Sequence, residues 1–387
     1  MIVRPPKEES IVLTTVPDGL LSTKAEEIAK LADEHAAVAD ARRHLEPKVV
    51  EALAEGGFLR HFVPAAFGGR QGGFLDLLKA VDILGRACPS TAWMASLLAH
   101  GGRMVAHLPE EGKEALWSGG PDVYIASGLV PGGEMRLDGG GWRISGRWTF
   151  VSGADLADWT LLSSFPSDGA EKKPWCFIVP KKSLFIEDTW FNLGMRATGS
   201  NTVVLDGVFV PRGHAFERAS LEAGLPAGEP DCHRVPLKAV NGLSFAGPLL
   251  GAAKGMVDRW TTWMTVKKAG PDGRRPADRD NVRHDLARST AGIGAAALLL
   301  ENVARRADGG GTSTDDIERN MLDWSFATTL IRDAADLIFS ASGTSAHHEG
   351  HELQRFWRDI HSASSHFALS FTNAAGLFGG KVFSETR

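Results

Sequence analysis

The feature of this sequence that most restricts its fold is a short β-region enclosed by two long helical blocks. Between Tyr124 and Val210 the chain consists of short alternating segments separated by turns that contain glycine and proline. Within the run 141–155, the residues that alternate with polar or small ones are Trp142, Ile144, Trp148, Phe150 and Ser152. This is strand periodicity, whereas the flanking sequence has helical periodicity. Few soluble folds place a small β-domain between two helical ones.

The pattern divides the chain into four parts, and the predicted fold class is α+β, mostly α. We expect a flexible arm over residues 1–20, an N-terminal α-domain over 21–121, a middle β-domain over 122–212 and a C-terminal four-helix bundle over 213–387. A capping box at Thr23–Glu26 predicts the start of the first helix, and Ser90 is expected to cap a helix that ends near Val105. The bundle helices are predicted at about 235–268, 278–307, 313–342 and 353–378.

Composition and charge exclude several classes of protein. The chain has 387 residues, of which 43% are hydrophobic and 23% charged, as in ordinary soluble proteins. Its formal charge of −5 includes no basic stripe, so we expect no nucleic-acid partner. The absence of a signal core or a long apolar window predicts a cytoplasmic protein without membrane segments. Three scattered cysteines indicate reduced thiols, and they are Cys88, Cys176 and Cys232.

Most familiar catalytic motifs are missing from the sequence. It contains no dinucleotide-binding Gly-x-Gly-x-x-Gly after a strand, no Walker loop, no Gly-x-Ser-x-Gly and no His-Glu-x-x-His. The string His347-His348-Glu349-Gly350-His351 suggests a metal site, but it lies in a glycine-bounded turn without helical spacing. We therefore interpret it as an interhelical loop and predict no metal.

Two strings resemble the acyl-CoA dehydrogenase family, whose order of domains is also the one predicted here. The run from Leu193 to Leu205, followed by Val208-Phe209-Val210-Pro211, resembles the second flavin-side strand of that family. Phe356-Trp357-Arg358-Asp359 resembles its Arg-Asp element in the last helix. The resemblance covers roughly residues 20 to 385 and implies the acyl-CoA dehydrogenase fold.

One departure from the family concerns its chemistry. Many acyl-CoA dehydrogenases carry a glutamate base about eight residues beyond the Arg-Asp pair, where this chain has Ser364-Ser365-His366-Phe367-Ala368-Leu369. That substitution resembles the flavin-dependent monooxygenase branch of the fold, the oxygenase components of two-component systems such as hydroxyphenylacetate and secosteroid hydroxylases. In those enzymes a string like 357–366 ends in an active-site histidine.

The resemblance implies three catalytic residues. His366 would lie over the flavin C4a region, His100 would face the substrate, and Ser127 would bind the substrate or the flavin edge. In that branch reduced flavin adds O2 at C4a, and the C4a-hydroperoxyflavin transfers oxygen to an electron-rich substrate. An imidazole with a pKa of about 6.5 can take a phenol proton or stabilise the peroxide, and such proton transfer contributes roughly 10² to 10⁴ in rate.

The same resemblance implies the cofactor contacts. The expected contacts to the flavin ring are Trp148, Phe150, Ser152, Thr198 and Ser200. For the phosphate end, we expect Arg279, with Lys267 and Arg283 near it, and a contact from Gly343 and Thr344 to the cofactor of a neighbouring subunit.

Alternatives remain for each histidine and for Ser127. His100 shares a helical face with Trp93, Leu97 and Met104, which is also typical of a buried core histidine. His361 is an alternative to His366, because five residues separate them by about 140° on a helix. Ser127 could equally be a turn residue.

The resulting hypothesis is the oxygenase component of a two-component flavin monooxygenase. It would take diffusible reduced FMN or FAD from an NAD(P)H-dependent flavin reductase, use O2, and hydroxylate a small aromatic, preferably phenolic, substrate. The family implies a homotetramer. The alternatives are oxidation at nitrogen or sulfur, an acyl-thioester dehydrogenase with Glu349 or Glu352 as a relocated base, and a non-catalytic flavin-binding scaffold.

Overall fold

The computed structural model describes residues 20–167, 173–269, 273–311 and 313–385, and its elements follow the predicted order of helices, strands and helices. The first helices are α1 (Leu20–Arg42), α2 (Pro47–Glu55), α3 (Phe74–Ala87), α4 (Pro89–Val105) and α5 (Glu110–Trp117). The predicted arm lies outside the described residues except for Leu20. Two predicted caps are wrong: Thr23 lies inside α1, and Ser90 is the second residue of α4. In α4 the helix starts on proline, which lacks the N–H that a first turn leaves unpaired.

The strands form one mixed sheet around the middle of the chain. They are β1 (Ile125–Gly128), β2 (Glu134–Asp138), β3 (Gly141–Val151), β4 (Trp159–Pro166), β5 (Trp175–Pro180), β6 (Phe185–Glu187), β7 (Asn201–Pro211) and β8 (Ala215–Glu217). Their order is β6-β7-β3-β2-β4-β5-β8, and β1 pairs with β4. The β1–β4 and β2–β4 pairs are parallel, and the other pairs are antiparallel.

The last part of β3 departs from the predicted alternation. Its register with β7 shifts between Ile144 and Gly146 and again between Trp148 and Val151. As a result Trp148 is buried, whereas Phe150 is 73% exposed and has a φ of 61°. The expectation that Trp148, Phe150 and Ser152 share one face is therefore wrong, because a bulge inserts an extra residue and turns one side chain outward.

The C-terminal helices include three long ones and a fourth that is interrupted. They are the short α6 (Arg218–Ala223), α7 (Asp231–Arg234) and α8 (Leu237–Val240), then α9 (Leu243–Val266), α10 (Asp280–Asp308), α11 (Thr314–Ser342), α12 (Glu352–Ser364) and α13 (Phe371–Glu385). Ser313 and Asp316 form a capping box at the start of α11, as its sequence indicates. The single helix predicted over 353–378 is wrong, because a 3₁₀ turn at Phe367–Leu369 separates α12 from α13.

One hydrophobic core unites the N-terminal helices with the bundle, and a second fills the interior of the sheet. Trp260 of α9 and Phe62 and Phe74 of the N-terminal part are among the large side chains fully buried in the first core. The three cysteines are free and buried. Among the described helices, none has both the length and the apolar character that crossing a bilayer requires.

Candidate active site

The Arg-Asp element of α12 holds the turn that precedes β7. The Met195 amide donates a hydrogen bond of 2.6 Å to Asp359 Oδ1, and Arg358 pairs with Asp40 of α1 at 3.0 Å. A Cβ at Gly194 would collide with the Arg358 carbonyl, so only glycine permits this close approach. Burial raises the pKa of Asp359 to about 7, although the Met195 hydrogen bond opposes the rise. The start of β7 is therefore fixed against α1 and α12.

Three hydroxyl groups form a continuous line where β3 ends and β7 begins. Ser152 Oγ lies 2.8 Å from Ser200 Oγ, which lies 2.7 Å from Thr198 Oγ1. Thr198 Oγ1 donates to the Met195 carbonyl at 2.8 Å, which links the line to the turn held by Asp359. A hydroxyl both donates and accepts, so this hydroxyl line suits the edge of a ring that carries N–H and C=O groups. All three residues were predicted as flavin contacts.

Trp93 of α4 and Phe245 of α9 connect the hydroxyl line to His366. Trp93 Nε1 donates a hydrogen bond of 3.2 Å to Ser152 Oγ, and its ring centroid lies 5.0 Å from that of Phe245. The rings of Phe245 and His366 are 3.9 Å apart at 31°, and those of Trp93 and His366 are 6.2 Å apart. The sequence did not assign either aromatic residue to the site. Trp93 carried only a core signal, and Phe245 is one apolar residue among many in α9.

His366 lies in the break between α12 and α13 rather than on a helix. Its Nδ1 accepts the Ala368 amide at 3.3 Å, and burial lowers the pKa of the imidazole to about 4. The ring is therefore neutral near pH 7, and an accepting Nδ1 leaves the hydrogen on Nε2. His366 also borders a cavity of about 270 Å³ between α11 and the helix break, which is lined by hydroxyl side chains and by Arg332.

The structure places His361, the alternative histidine, in a different setting. His361 Nε2 lies 2.8 Å from Asp336 Oδ1 of α11, and Trp357 Nε1 donates to the same oxygen at 2.8 Å. The His361 ring packs 4.4 Å from that of Trp357. His361 thus joins α12 to α11, whereas His366 contacts the aromatic pair beside Ser152. The angle predicted for two residues of one helix does not apply, because the helix ends before His366.

His100 and Ser127 lie on either side of the contact between α4 and β1. This contact is close because Gly101 has no side chain: a Cβ there would lie 2.7 Å from the Ile125 carbonyl oxygen. Ser127 follows Ile125 by two residues and therefore lies on the same face of β1. The Ser127 Oγ is buried and has no hydrogen-bond partner among the described residues. A buried hydroxyl without a partner is a point at which a ligand group can bind.

The His100 ring is buried among aromatic side chains. Its centroid lies 5.2 Å from that of Phe62 and 6.1 Å from that of Phe74. Burial, with the charge of Arg103 as a second cause, lowers the pKa of His100 well below 6.5, so the ring is neutral. His100 follows Trp93 by seven residues, which places both on one face of α4 about 10.5 Å apart along its axis.

The two predicted aromatic contacts of β3 have separate environments. Trp148 Nε1 donates to the Ser163 carbonyl at 2.7 Å, and its ring packs edge-on to Phe177 inside the sheet. Phe150 lies on the outside, with its ring 6.1 Å from that of Trp190. A phenylalanine with positive φ is strained, and strain of this kind is concentrated at functional sites.

The residues predicted for the phosphate end lie at helix termini. Arg279 precedes the first residue of α10, while Gly343 and Thr344 are exposed beyond the end of α11. Lys267 Nζ donates to the Ser342 carbonyl at 2.9 Å and lies 4.1 Å from the Trp263 ring, so it sits beside Gly343. None of the described contacts joins these residues to the hydroxyl line.

Two histidines of the string between α11 and α12 accept hydrogen bonds from backbone amides close to them in the chain. His348 Nδ1 and His351 Nδ1 each accept a backbone amide at 3.2 Å, from Gly350 and Leu353 respectively. No metal-binding group of three His, Cys, Asp or Glu side chains occurs in the described part of the chain.

The two glutamates considered as relocated bases lie in the same region. Glu352 pairs with Arg259 at 2.8 Å, and Glu349 is exposed. No described contact joins either glutamate to His366.

Comparison with known proteins identifies the family to which this fold belongs. Models of the acyl-CoA dehydrogenase N-terminal and C-terminal domains match residues 20–116 and 243–371. The chain is 29% identical over 352 residues to the flavin-dependent monooxygenase oxygenase subunit HsaA of Rhodococcus jostii, covering 88% of this chain and 92% of the relative. It is 28% identical over 385 residues to the oxygenase component of the FADH(2)-dependent resorcinol hydroxylase of a Rhizobium species, covering 94% of each.

Solved structures give the same result. The crystal structure of 3-HSA hydroxylase from a Rhodococcus species superposes with a TM-score of 0.88 at 27% identity, covering 94% of this chain and 97% of that one. XiaF from a Streptomyces species, solved with FADH2 and glycerol, has a TM-score of 0.88 at 25% identity, covering 94% and 95%.

These matches show that the chain belongs to the acyl-CoA dehydrogenase family, and they confirm the predicted fold class. Within that fold it is a flavin-dependent monooxygenase, because the relatives that match over nearly its whole length carry that activity rather than dehydrogenation.

Proposed function

We propose that this protein is the oxygenase component of a two-component system that hydroxylates a phenolic substrate. It would use O2 and diffusible reduced flavin, FMN or FAD, which a separate NAD(P)H-dependent reductase supplies. The observation that carries the proposal is the chain of contacts from His366 through Phe245 and Trp93 to Ser152. These contacts connect an imidazole to the hydroxyl line through two aromatic rings, and the family resemblance implies a carboxylate at this sequence position in many dehydrogenases. The relatives named above support the two-component assignment.

The residues present fit a flavin. The hydroxyl line of Ser152, Ser200 and Thr198 offers donors and acceptors to a ring edge, and the outward ring of Phe150 offers an aromatic surface. The chemistry that reduced flavin supplies, together with O2, is an electrophilic oxygen. We assign Trp148 a supporting role, because its indole is committed to the interior of the sheet.

His366 keeps a hydrogen at Nε2 and would donate a hydrogen bond from it to the oxygen that is being transferred. Its neutral state follows from burial, and Ala368 fixes the ring orientation through Nδ1. Phe245 and Trp93 pack against one side of the imidazole, and its other side borders the cavity beside Arg332. The aromatic packing on that side lowers the local polarity and strengthens a hydrogen bond from Nε2.

His100 and Ser127 bind and orient the substrate hydroxyl. The neutral His100 can accept a hydrogen bond from the phenol hydroxyl and so assist its ionisation, and the Ser127 Oγ can donate to the same oxygen. His100 lies on the same helix as Trp93, and Ser127 lies on β1, the strand that this helix approaches at Gly101. The substrate ring would therefore lie along α4 between His100 and the flavin contacts.

The phosphate end and the assembly complete the proposal. Arg279 stands at the N-terminus of α10, where the helix dipole adds to the attraction for a phosphate. Gly343 and Thr344 are exposed at the end of α11 and would contact the cofactor of a neighbouring subunit in a homotetramer.

The test mixes the protein with chemically reduced FMN or FAD, O2 and a set of phenols, and measures hydroxylated product and H2O2. Product in proportion to the flavin consumed supports the proposal. H2O2 alone with every phenol would indicate a flavin-binding scaffold. Reduction of bound oxidised FAD by an acyl thioester would indicate a dehydrogenase.

A further inference from the structure

Arg103 of α4 is a buried charge that pairs with no acidic side chain among the described residues. Its side chain is 0% exposed, Nε donates to the Cys232 carbonyl at 2.8 Å, and Nη2 donates to the Val235 carbonyl. The remaining nitrogen, Nη1, is buried and has no hydrogen-bond partner among the described residues. No carboxylate in the described part of the chain forms an ion pair with it. Burial lowers its pKa only to about 10, so the guanidinium is charged at neutral pH.

A buried cation of this kind is costly unless an anion compensates it. Asp308 does not fill that role, because its two oxygens accept the amides of Phe74 at 2.7 Å and Leu75 at 3.0 Å and so cap α3. The carbonyls of Cys232 and Val235 satisfy two donors without cancelling the charge. The third donor direction is therefore available to a ligand.

The surroundings of Arg103 belong to the proposed substrate site. The guanidinium lies 5.3 Å from the Phe74 ring, which itself lies 6.1 Å from the His100 ring. His61 is a second buried group with an unpartnered atom: its Nε2 bonds the Gly73 carbonyl at 2.9 Å, and its Nδ1 has no described partner. With Nε2 donating, Nδ1 is an acceptor. One charged donor and one neutral acceptor thus flank the aromatic rings next to His100.

We propose that Arg103 recognises a carboxylate on the substrate, so that the protein acts on phenolic carboxylic acids. Nη1 donates to the carboxylate, and the ring extends from there along α4 past His100 toward Trp93. Arg103 follows His100 by three residues, about 4.5 Å along the helix, and follows Trp93 by about 15 Å. This inference rests on the proposed function, since it names the substrate class of the same site.

The experiment compares matched acids and amides by calorimetry on the full-length chain, with and without added oxidised flavin. The probes are 4-hydroxybenzoate with 4-hydroxybenzamide, and 4-hydroxyphenylacetate with 4-hydroxyphenylacetamide. At least one acid should bind about tenfold or more tightly than its amide, because a hydrogen bond to a charged group is strong. Arg103→Gln should remove this preference by weakening the acid only, and Arg103→Lys should keep part of it.

Arg218→Gln is the matched control, because Arg218 also donates to a main-chain carbonyl, that of Leu129, but has Glu222 as its partner at 3.3 Å. It should keep the acid preference. Equal binding of acids and amides to the unchanged protein, failure of every acid to bind, or a preference that survives Arg103→Gln overturns the proposal. The first two of these outcomes are measured on the unchanged protein and therefore do not depend on whether a variant folds. Hydroxylation of acids and amides with equal affinity would leave the proposed function standing, whereas acid preference without any hydroxylation would reject the function alone.

Discussion

The indole of Trp93 and the hydroxyl of Ser152 are joined by a hydrogen bond of 3.2 Å that connects the helical part of the molecule to the end of β3. Ser152 continues this connection through Ser200 to Thr198 at the start of β7. The chemistry proposed for the site thus depends on side chains from three separate segments of the chain. Its testable consequences concern the hydroxyl line, the two histidines and the buried titratable groups.

Replacing the central hydroxyl of the line should weaken flavin binding. Ser200→Ala removes the group that bonds both Ser152 and Thr198, and we expect reduced-flavin affinity to fall about tenfold, since one hydrogen bond contributes roughly 1 kcal/mol and leaves unsatisfied partners. Titration of flavin fluorescence or absorbance under anaerobic conditions measures the change. Ser325→Ala is the control, because that buried hydroxyl bonds only the Leu322 carbonyl of its own helix. Equal affinity in both variants would contradict the assignment.

Loss of His366 should uncouple flavin oxidation from hydroxylation. His366→Ala should keep the fold, lose most oxygen transfer and release H2O2 instead, because no donor replaces Nε2. The ratio of product to H2O2 is the measurement. His361→Ala should lose the Asp336 contact and some stability but retain the ratio. If the two variants are coupled equally well, His366 does not take part in oxygen transfer.

Loss of His100 should change how the reaction depends on pH. If His100 assists ionisation of the phenol by accepting its hydrogen bond, His100→Ala should require higher pH for the same rate, because the substrate must then ionise without that help. The profile of kcat/KM against pH tests this, with Ser127→Ala as a second variant that should raise KM without moving the profile. An unaltered profile in His100→Ala would leave that residue only a packing role.

The buried histidines should make the protein sensitive to acid. Burial lowers the pKa of His61 to about 4, of His107 to about 3 and of His366 to about 4. The unfolded chain takes up these protons near pH 6.5 and the folded chain does not, so the free energy of unfolding should fall as pH falls from 6.5 toward 4. By pH 5, each histidine should lower the free energy of unfolding by on the order of 1–2 kcal/mol.

Urea denaturation of the unchanged protein and of His107→Gln at pH 7.5, 6 and 5 measures this dependence. The variant should lose less stability between the first and last pH. Equal losses would show that His107 does not titrate on unfolding in this range.

Asp359 should make the protein less stable as pH rises, which is opposite to the effect of the histidines. Its pKa of about 7 exceeds that of an ordinary aspartate, so the folded chain holds a proton that the unfolded chain has lost, and stability should fall as pH rises from about 4 to 7. Asp359→Asn removes the ionisation and keeps an acceptor for the Met195 amide. The free energy of unfolding of the variant, relative to that of the unchanged protein, should therefore be higher at pH 8 than at pH 5 by on the order of a few kcal/mol. A difference that does not change with pH would contradict the raised pKa.

A helix end that depends on neighbouring residues in the sequence could be predicted from the sequence. The helix predicted over 313–342 spans Thr314–Ser342, because its capping signal at Ser313 acts within one helical turn. The bulge that turns Phe150 outward was not predictable from period-2 alternation, since it depends on pairing between β3 and β7. The two aromatic residues beside His366 were missed for a similar reason: Trp93 and Phe245 come from α4 and α9, which meet only in the folded chain.

Because α12 and α13 are separate helices, the direction of the His366 side chain does not depend on the packing of one continuous helix. In an unbroken helix, changing the direction of one side chain requires rotating every residue that follows it. Here six residues separate Ser364 from Phe371, and the Ala368 carbonyl accepts a hydrogen bond of 2.9 Å from Trp324 Nε1 of α11, so this segment and its contact with α11 set the direction of the imidazole. Variants that lengthen or shorten this segment by one residue should re-aim the imidazole and, if the proposed function holds, change the position on the substrate that receives oxygen.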